Sequence, residues 1–272
     1  METVGDIQIR RHGAEGPVVI VLHGGPGAPG SAVELALNLS DVFSVVEPWQ
    51  RKSEKEDQLT VARHVADLHE VVRAVSDEQQ RPALVGESWG AMLALAYAVE
   101  YPSEMSAMVL VGCGTFDKRS RSVGGKIREE RIADYIANHP EFVDDLNLDL
   151  NDRIMKWHKM TDTYRAISSP TAYGNIAFDK KGFTETWNDM LRCQEDGLYP
   201  YAFSRIISPI LMLHGSYDPY PGKMIRNSLK EHIPQLEYRE FKKCGHQPSI
   251  EAFSREEFFF VIHSWLSEQF RK

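Results

Sequence analysis

Ser88 stands in the stretch Leu84-Val-Gly-Glu-Ser-Trp-Gly90, with one glycine two places before it and another two places after. A serine hydroxyl is a poor nucleophile until a base removes its proton. Two flanking glycines are what a sharp strand-to-helix turn needs if it is to lift that hydroxyl clear of a sheet. Neighbours packed too closely to carry a Cβ must be glycine. Three fixed positions also occur by chance in ordinary loops, so the flanking context decides.

The chemistry further requires an imidazole to take the proton and a carboxylate to orient the imidazole. In α/β sheets such groups come from loops at the carboxyl ends of strands, with the acid following the serine in the chain and the histidine last. Asp218 lies in "SYDPYPG" directly after the apolar run "PILMLHG" (209–215), and His246 lies in "KKCGHQP" after "LEYREF" (236–241). Alone, His246 is a surface-loop histidine and Asp218 an Asx-turn residue before Pro219. In order with Ser88 they read as base and orienting acid. A tetrahedral intermediate also needs N–H donors for its oxyanion. Trp89, next after the serine, supplies one. Gly25 in "HGGPG" (23–27) supplies the other, since Pro26 has no N–H to give. The same segment is a poor phosphate loop, lacking both GxxxxGK[ST] and GxGxxG spacing.

The elements that must hold these residues are legible as short apolar runs alternating with helix-period segments, the pattern of a parallel sheet covered on both faces. Strands are predicted at "VVIVLHGG" (18–25), "VFSVVEP" (42–48), "RPALVGES" (81–88), "MVLVGCG" (108–114), 209–215 and 236–241, the last alternating and so near an edge. Val61, Val65, Leu68, Val72 and Val75 form a helical stripe, with Arg63, Asp67, Glu70 and Arg73 on the outer face. The alanine-rich "WGAMLALAYAVEYP" (89–102) is a buried helix ended by Pro102, so Ser88 does sit between a buried strand and a buried helix. A closing helix begins at the capping-box pattern Ser254 to Glu257. From Thr115 to Arg205 the rhythm breaks into helical segments, "KIREERIADYIANHP", "NDRIMKWHKMTDTY" and "TETWNDMLRCQ", which reads as a helical insertion between two strands. The predicted organisation is a core over 1–114, a helical cap over 115–205 and the rest of the core over 206–272, with Trp157 and Trp187 read as cap core or pocket wall.

At 272 residues, 42% of them apolar, the chain can bury a large core without disulfides or metal. A net charge of −8 with no basic stripe argues against nucleic acid and anionic membranes as partners. Cys113, Cys193 and Cys244 lack CxxC spacing and read as reduced thiols, Cys113 and Cys244 as packing residues. "METVGDIQIRR" has no basic segment leading into an apolar run, so no secretory signal is expected, and no segment is apolar for long enough to span a membrane. A cytoplasmic protein is expected. His23, His214 and His246 all follow strands, but no acid accompanies them at ligand spacing, so no metal is expected and His23 and His214 read as structural. Glu47, at a strand end, fits either a pocket-facing or an ion-paired role.

Together "LHGGPG", "VGESWG", "LHGSYDP" and "CGHQP" resemble the α/β-hydrolase fold, and within it the proline iminopeptidase group of serine hydrolases. The resemblance implies an α/β-hydrolase fold, a mostly parallel sheet flanked by helices with an inserted helical cap. It implies Ser88 as nucleophile, Asp218 and His246 as its partners, Gly25 and Trp89 as oxyanion donors, and no cofactor. That group commonly carries GGSWG where this chain has Glu87, and DQRGxGxS where it has "EPWQRKS" (47–53). A glutamate before the serine is also common among esterases. The group binds a free amine through cap glutamates near tryptophans, a role that Glu185, Trp187 and Asp189 would fill.

The expected activity is hydrolysis of a small ester or amide through an acyl-enzyme on Ser88, as in an iminopeptidase-like aminopeptidase. A carboxylesterase or related small-molecule hydrolase is the alternative, and a non-catalytic ligand-binding member of the fold the third reading. Dehalogenases and epoxide hydrolases use an aspartate where this chain has Ser88. The expected partner is a small-molecule or short-peptide substrate; oligomeric state is left open.

Overall fold

Apolar runs of four to six residues build the centre of one sheet. The computed structural model describes residues 1–53, 58–76, 80–139, 161–167 and 178–272. Its strands are β1 (Glu2–Val4), β2 (Ile7–His12), β3 (Val18–Leu22), β4 (Ser44–Trp49), β5 (Ala83–Glu87), β6 (Met108–Val111), β7 (Ile210–Gly215) and β8 (Leu236–Phe241). Among the described residues they form one eight-stranded sheet in the order β1-β2-β4-β3-β5-β6-β7-β8. Strands β3 to β8 pair in parallel, whereas β1 with β2 and β2 with β4 are antiparallel. The six predicted strands are present, and β8 is an edge as its alternation suggested. The first two strands went unread in the sequence, although Ile7 and Ile9 are buried around an exposed Gln8, the alternation of a strand with one wet face.

Strand side chains point alternately to two cores. Ile20, Leu22 and Leu84 face one that is covered by α2 (Val61–Val75) and α3 (Trp89–Glu100). Val19, Val21, Ala83 and Val85 face the other, covered by α1 (Val33–Leu39) and the closing helix Arg255–Gln269. Helix α3 is buried from Trp89 to Val99, which is why its sequence is alanine-rich and apolar all round: small side chains let it lie close on the sheet. In α2 the apolar stripe is as predicted, but Asp67 is not on the outer face. It is buried and holds Arg51 through two hydrogen bonds of 2.9 Å.

Between β6 and β7 the chain forms α4 (Lys118–Asn138) and α5 (Lys180–Glu195), each started by an aspartate accepting a backbone N–H three residues on: Asp117 from Ser120 at 2.8 Å and Asp179 from Gly182 at 3.0 Å. Helix α6 (Gly222–Lys230) and the closing helix, α7, complete the described helices of the core. The predicted helical stretch 151–164 falls largely, and Trp157 wholly, outside the described residues. Ser254 does occupy the N-cap position of α7, but its side chain makes no capping hydrogen bond, contrary to the capping-box reading. The three cysteines are buried and unbridged. Among the described residues no helix is long and apolar enough to cross a membrane.

Candidate active site

Ser88 links β5 to α3 with φ 54° and ψ −113°, a left-handed conformation that costs a non-glycine residue about 1–3 kcal/mol. The flanking glycines make that turn possible. A Cβ on Gly86 would come within 2.3 Å of the Gly90 backbone, and one on Gly90 within 2.2 Å of the Leu22 carbonyl oxygen. The Ser88 N–H donates to the Val111 carbonyl at 2.8 Å, which fixes the turn to β6.

The acid and the histidine arrive from the ends of β7 and β8. His246 Nδ1 lies 2.8 Å from Asp218 Oδ2, and Asp218 Oδ1 accepts the Tyr220 N–H at 2.9 Å. Burial pushes the Asp218 carboxyl up, but the two imidazoles beside it, of His246 and His214, hold it well below the usual carboxylate range. Burial likewise draws His246 down, yet the charge of Asp218 and its hydrogen bond, with Asp162 behind them, leave it above the ordinary histidine value. An ionised acid on Nδ1 fixes the tautomer that leaves Nε2 as proton acceptor.

Glycine again permits the approach of this ring. A Cβ on Gly112 would lie 3.1 Å from His246 Nδ1, and Gly112 follows the Val111 carbonyl that holds the Ser88 N–H. Within the set the hydrogen bond formed is that from His246 to Asp218.

Two strand-end histidines were predicted to be structural, and the structure separates them. His23 is a strut: its Nδ1 lies 2.9 Å from the Gly24 carbonyl and its Nε2 accepts the Gln50 N–H at 3.1 Å. His214 touches the acid itself. Its Nε2 is 2.9 Å from Asp218 Oδ2 and 3.0 Å from the Tyr220 carbonyl, with the ring fully buried. The His214-to-Asp218 spacing across the turn after β7 is the sequence signal that was passed over. Glu47, left open between two roles, is ion-paired, holding Arg10 through two hydrogen bonds and His12 at 3.0 Å.

Of the nominated oxyanion donors, Trp89 follows the serine directly and Gly25 lies in a loop that reaches it through Gly24. Gly25 has φ +47°, and a Cβ on its neighbour Gly24 would sit 3.3 Å from the Ser88 Cβ. Trp89 heads α3, and its indole N–H donates to Gln50 Oε1 at 2.7 Å while Gln50 Nε2 donates to the His23 carbonyl at 3.2 Å. The Trp89 side chain thereby braces the loop that carries Gly25.

The histidine loop is anchored by a buried acid the sequence reading missed. Glu251 accepts backbone N–H groups from Gly245 at 2.9 Å, Tyr164 at 2.8 Å and Arg165 at 2.7 Å. The His246 N–H donates to the Asp162 carbonyl at 2.6 Å, and Arg128 of α4 lies 4.2 Å over the Tyr220 ring. Residues from the β6–β7 connection therefore lie directly against Tyr220 and His246. A cavity of about 480 Å³ opens elsewhere, beyond the end of β4, lined by Trp49, Arg51 and Lys52 among others and by none of Ser88, Asp218 or His246.

Glu185, Trp187 and Asp189, nominated to bind an amine, are engaged otherwise. Glu185 accepts the Leu59 N–H at 3.0 Å, and Asp189 accepts the Val61 N–H at 2.8 Å and Arg192 Nη2 at 2.6 Å. Trp187 is half-buried and stacks with Phe183 at 6.4 Å. These carboxylates hold the N-terminus of α2, where the helix leaves backbone donors unpaired. Glu185→Gln or Asp189→Asn is expected to cost about 1–2 kcal/mol of stability, as losing a charge-assisted bond does. In each variant, activity on free-amine and N-blocked substrates should change by the same factor. A drop of tenfold or more confined to free-amine substrates would return the pair to amine binding.

A family model described as alpha/beta hydrolase fold matches residues 17–253. The chain is similar to a proline iminopeptidase of Lactobacillus helveticus (strain DPC 4571), 24% identical over 94% of this chain and 91% of that one. It is also similar to a 2-hydroxy-6-oxononadienedioate/2-hydroxy-6-oxononatrienedioate hydrolase of Cupriavidus pinatubonensis, 27% identical over 92% of this chain and 90% of that one. Among solved structures, a proline iminopeptidase of Mycobacterium smegmatis superposes with a TM-score of 0.64 at 19% identity, covering 98% of this chain and 97% of that one.

Proposed function

The chain belongs to the α/β hydrolase fold family, and from that premise we propose that it is a serine hydrolase cleaving a small ester or amide through an acyl-enzyme on Ser88. The observation that carries this reading is the buried His246–Asp218 pair, set beside a serine at φ 54°. His246 Nε2 takes the hydroxyl proton as Ser88 Oγ attacks the substrate carbonyl carbon, and the oxyanion accepts the N–H groups of Gly25 and Trp89. The C–O or C–N bond to the leaving group then breaks, and the imidazolium returns its proton to that group. A water molecule, deprotonated by the same nitrogen, attacks the acyl carbon and releases the acid with Ser88 restored. Asp218 stays ionised throughout and balances the imidazolium.

Helices α4 and α5, the described helices between β6 and β7, belong in this reading to a cap that encloses a substrate of small-molecule or short-peptide size. The likeness to proline iminopeptidases favours an amino-acyl amide. The engagement of Glu185 and Asp189 with the start of α2 favours the second reading, an esterase, since a charged amine is costly to bury without a facing carboxylate. Side-by-side assay of p-nitrophenyl acyl esters and amino-acyl amides tests both. Turnover of at least one class is expected, with Ser88 acylated. Faster cleavage of free-amine than N-blocked amides identifies the aminopeptidase; preference for neutral esters identifies the esterase. No turnover of either class by the folded protein would overturn the proposal.

A further inference from the structure

Glu87 is the residue that sets this elbow apart from the glycine of the GGSWG pattern, and it is buried at 2% exposure. Its carboxylate Oε1 accepts a hydrogen bond from Gln247 Nε2 at 2.7 Å. The pair thus joins the residue immediately before Ser88 to the residue immediately after His246. Those residues arrive from β5 and β8, which are separated in the sheet by β6 and β7. The Glu87 carboxyl also lies beneath the loop that carries Gly25, since a Cβ on Gly24 would come within 3.8 Å of Oε1. A glycine at position 87 has no side chain with which to reach the histidine loop.

Resting on the roles proposed above for Ser88 and His246, we infer that Glu87 and Gln247 form a clasp that sets the distance between nucleophile and base, making Glu87 a positioning residue. His246 Nε2 must meet Ser88 Oγ, then the leaving group, then water. Backbone contacts hold its loop from the far side: Glu251 grips Gly245, and Asp162 grips the His246 N–H. The clasp is the side-chain bond that ties the loop to the elbow itself. Burial pushes the Glu87 carboxyl up, against the pull of Gln247 and His246. Protonated or ionised, the carboxyl keeps an oxygen that accepts from Gln247 Nε2.

Misplacement of a reacting group by about 1 Å can cost up to about 100-fold in rate. Gln247→Ala and Glu87→Gly are each expected to lower kcat about tenfold, with KM within about twofold, and to slow labelling of Ser88 by a phosphonofluoridate by the same factor. Both act by opening one bond, so the double variant should be no slower than either single one. Glu87→Gln, which keeps the acceptor, should rescue most of the loss. A purely structural role would lower the melting temperature and leave kcat and the labelling rate at parent values. Additive losses, a parent labelling rate in Gln247→Ala, or a Glu87→Gln variant as slow as Glu87→Gly would each overturn the clasp. If instead the parent protein is not labelled at Ser88, the proposed nucleophile fails and the clasp fails with it. Labelling of the parent at Ser88 together with an unaffected Gln247→Ala removes the clasp alone.

Discussion

Ser88→Ala is expected to lower kcat/KM by about 10⁴-fold or more while the protein stays folded. The size follows from a nucleophile, base and acid acting as a unit, in which removing the nucleophile forfeits the covalent route entirely. The fold should survive because the turn is held by backbone contacts that alanine keeps: the N–H to Val111, and the close approaches of Gly86 and Gly90. Alanine retains the Cβ and so retains the strain of φ 54°, whereas Ser88→Gly should lose the activity and gain about 1 kcal/mol of stability from relief of that strain. The two variants thus separate chemistry from folding. A phosphonofluoridate should label Ser88 in the parent protein and no other serine. Substantial activity left in the alanine variant, or labelling at another serine, would sink the assignment. An unlabelled parent that binds small acyl compounds without turnover would instead support a ligand-binding member of the fold.

What the sequence made legible was whatever is local in the chain. The strands are continuous apolar runs, the elbow is five consecutive residues, and Asp218 and His246 each follow a recognisable strand within a few positions. Less legible were contacts that depend on where distant segments meet. Glu185 and Asp189 sit beside a tryptophan in a helical turn, a composition that fits amine binding, yet each also holds a backbone donor more than 120 residues away. Asp67 has the helical phase of an outward residue and is buried because Arg51 approaches from the end of β4. His214 belongs to a strand whose burial explains it adequately, and only the turn back to Asp218 brings its imidazole onto the acid. Glu87 read as a departure from a motif; its bond to Gln247 spans 160 positions and is invisible without the fold.

The acid limb of the pH profile should lie on the alkaline side of an ordinary histidine. His246 must be neutral to accept the Ser88 proton, and its pKa is raised in the fold, so kcat/KM should rise with pH through a single ionisation above about 6.5. The sign rests on Asp218. Burial alone draws the imidazole down, and the adjacent carboxylate, 2.8 Å from Nδ1, overcomes that. Asp218→Asn removes the charge but not the burial, so the limb should move to lower pH, below the ordinary histidine value. The rate on the plateau should fall by about 10⁴-fold, because the amide neither stabilises the imidazolium nor holds the tautomer with Nε2 as acceptor. His246→Ala should abolish the limb together with the activity. His214 contacts the same carboxylate oxygen, so its replacement should displace the limb without abolishing it, in contrast to the unaltered profile that a role remote from the acid would give. Measuring kcat/KM from pH 5 to 9 for the parent and the three variants decides the matter. A limb that stays in place in Asp218→Asn would mean that this carboxylate does not set the basicity of His246, and one that persists in His246→Ala would assign the base elsewhere.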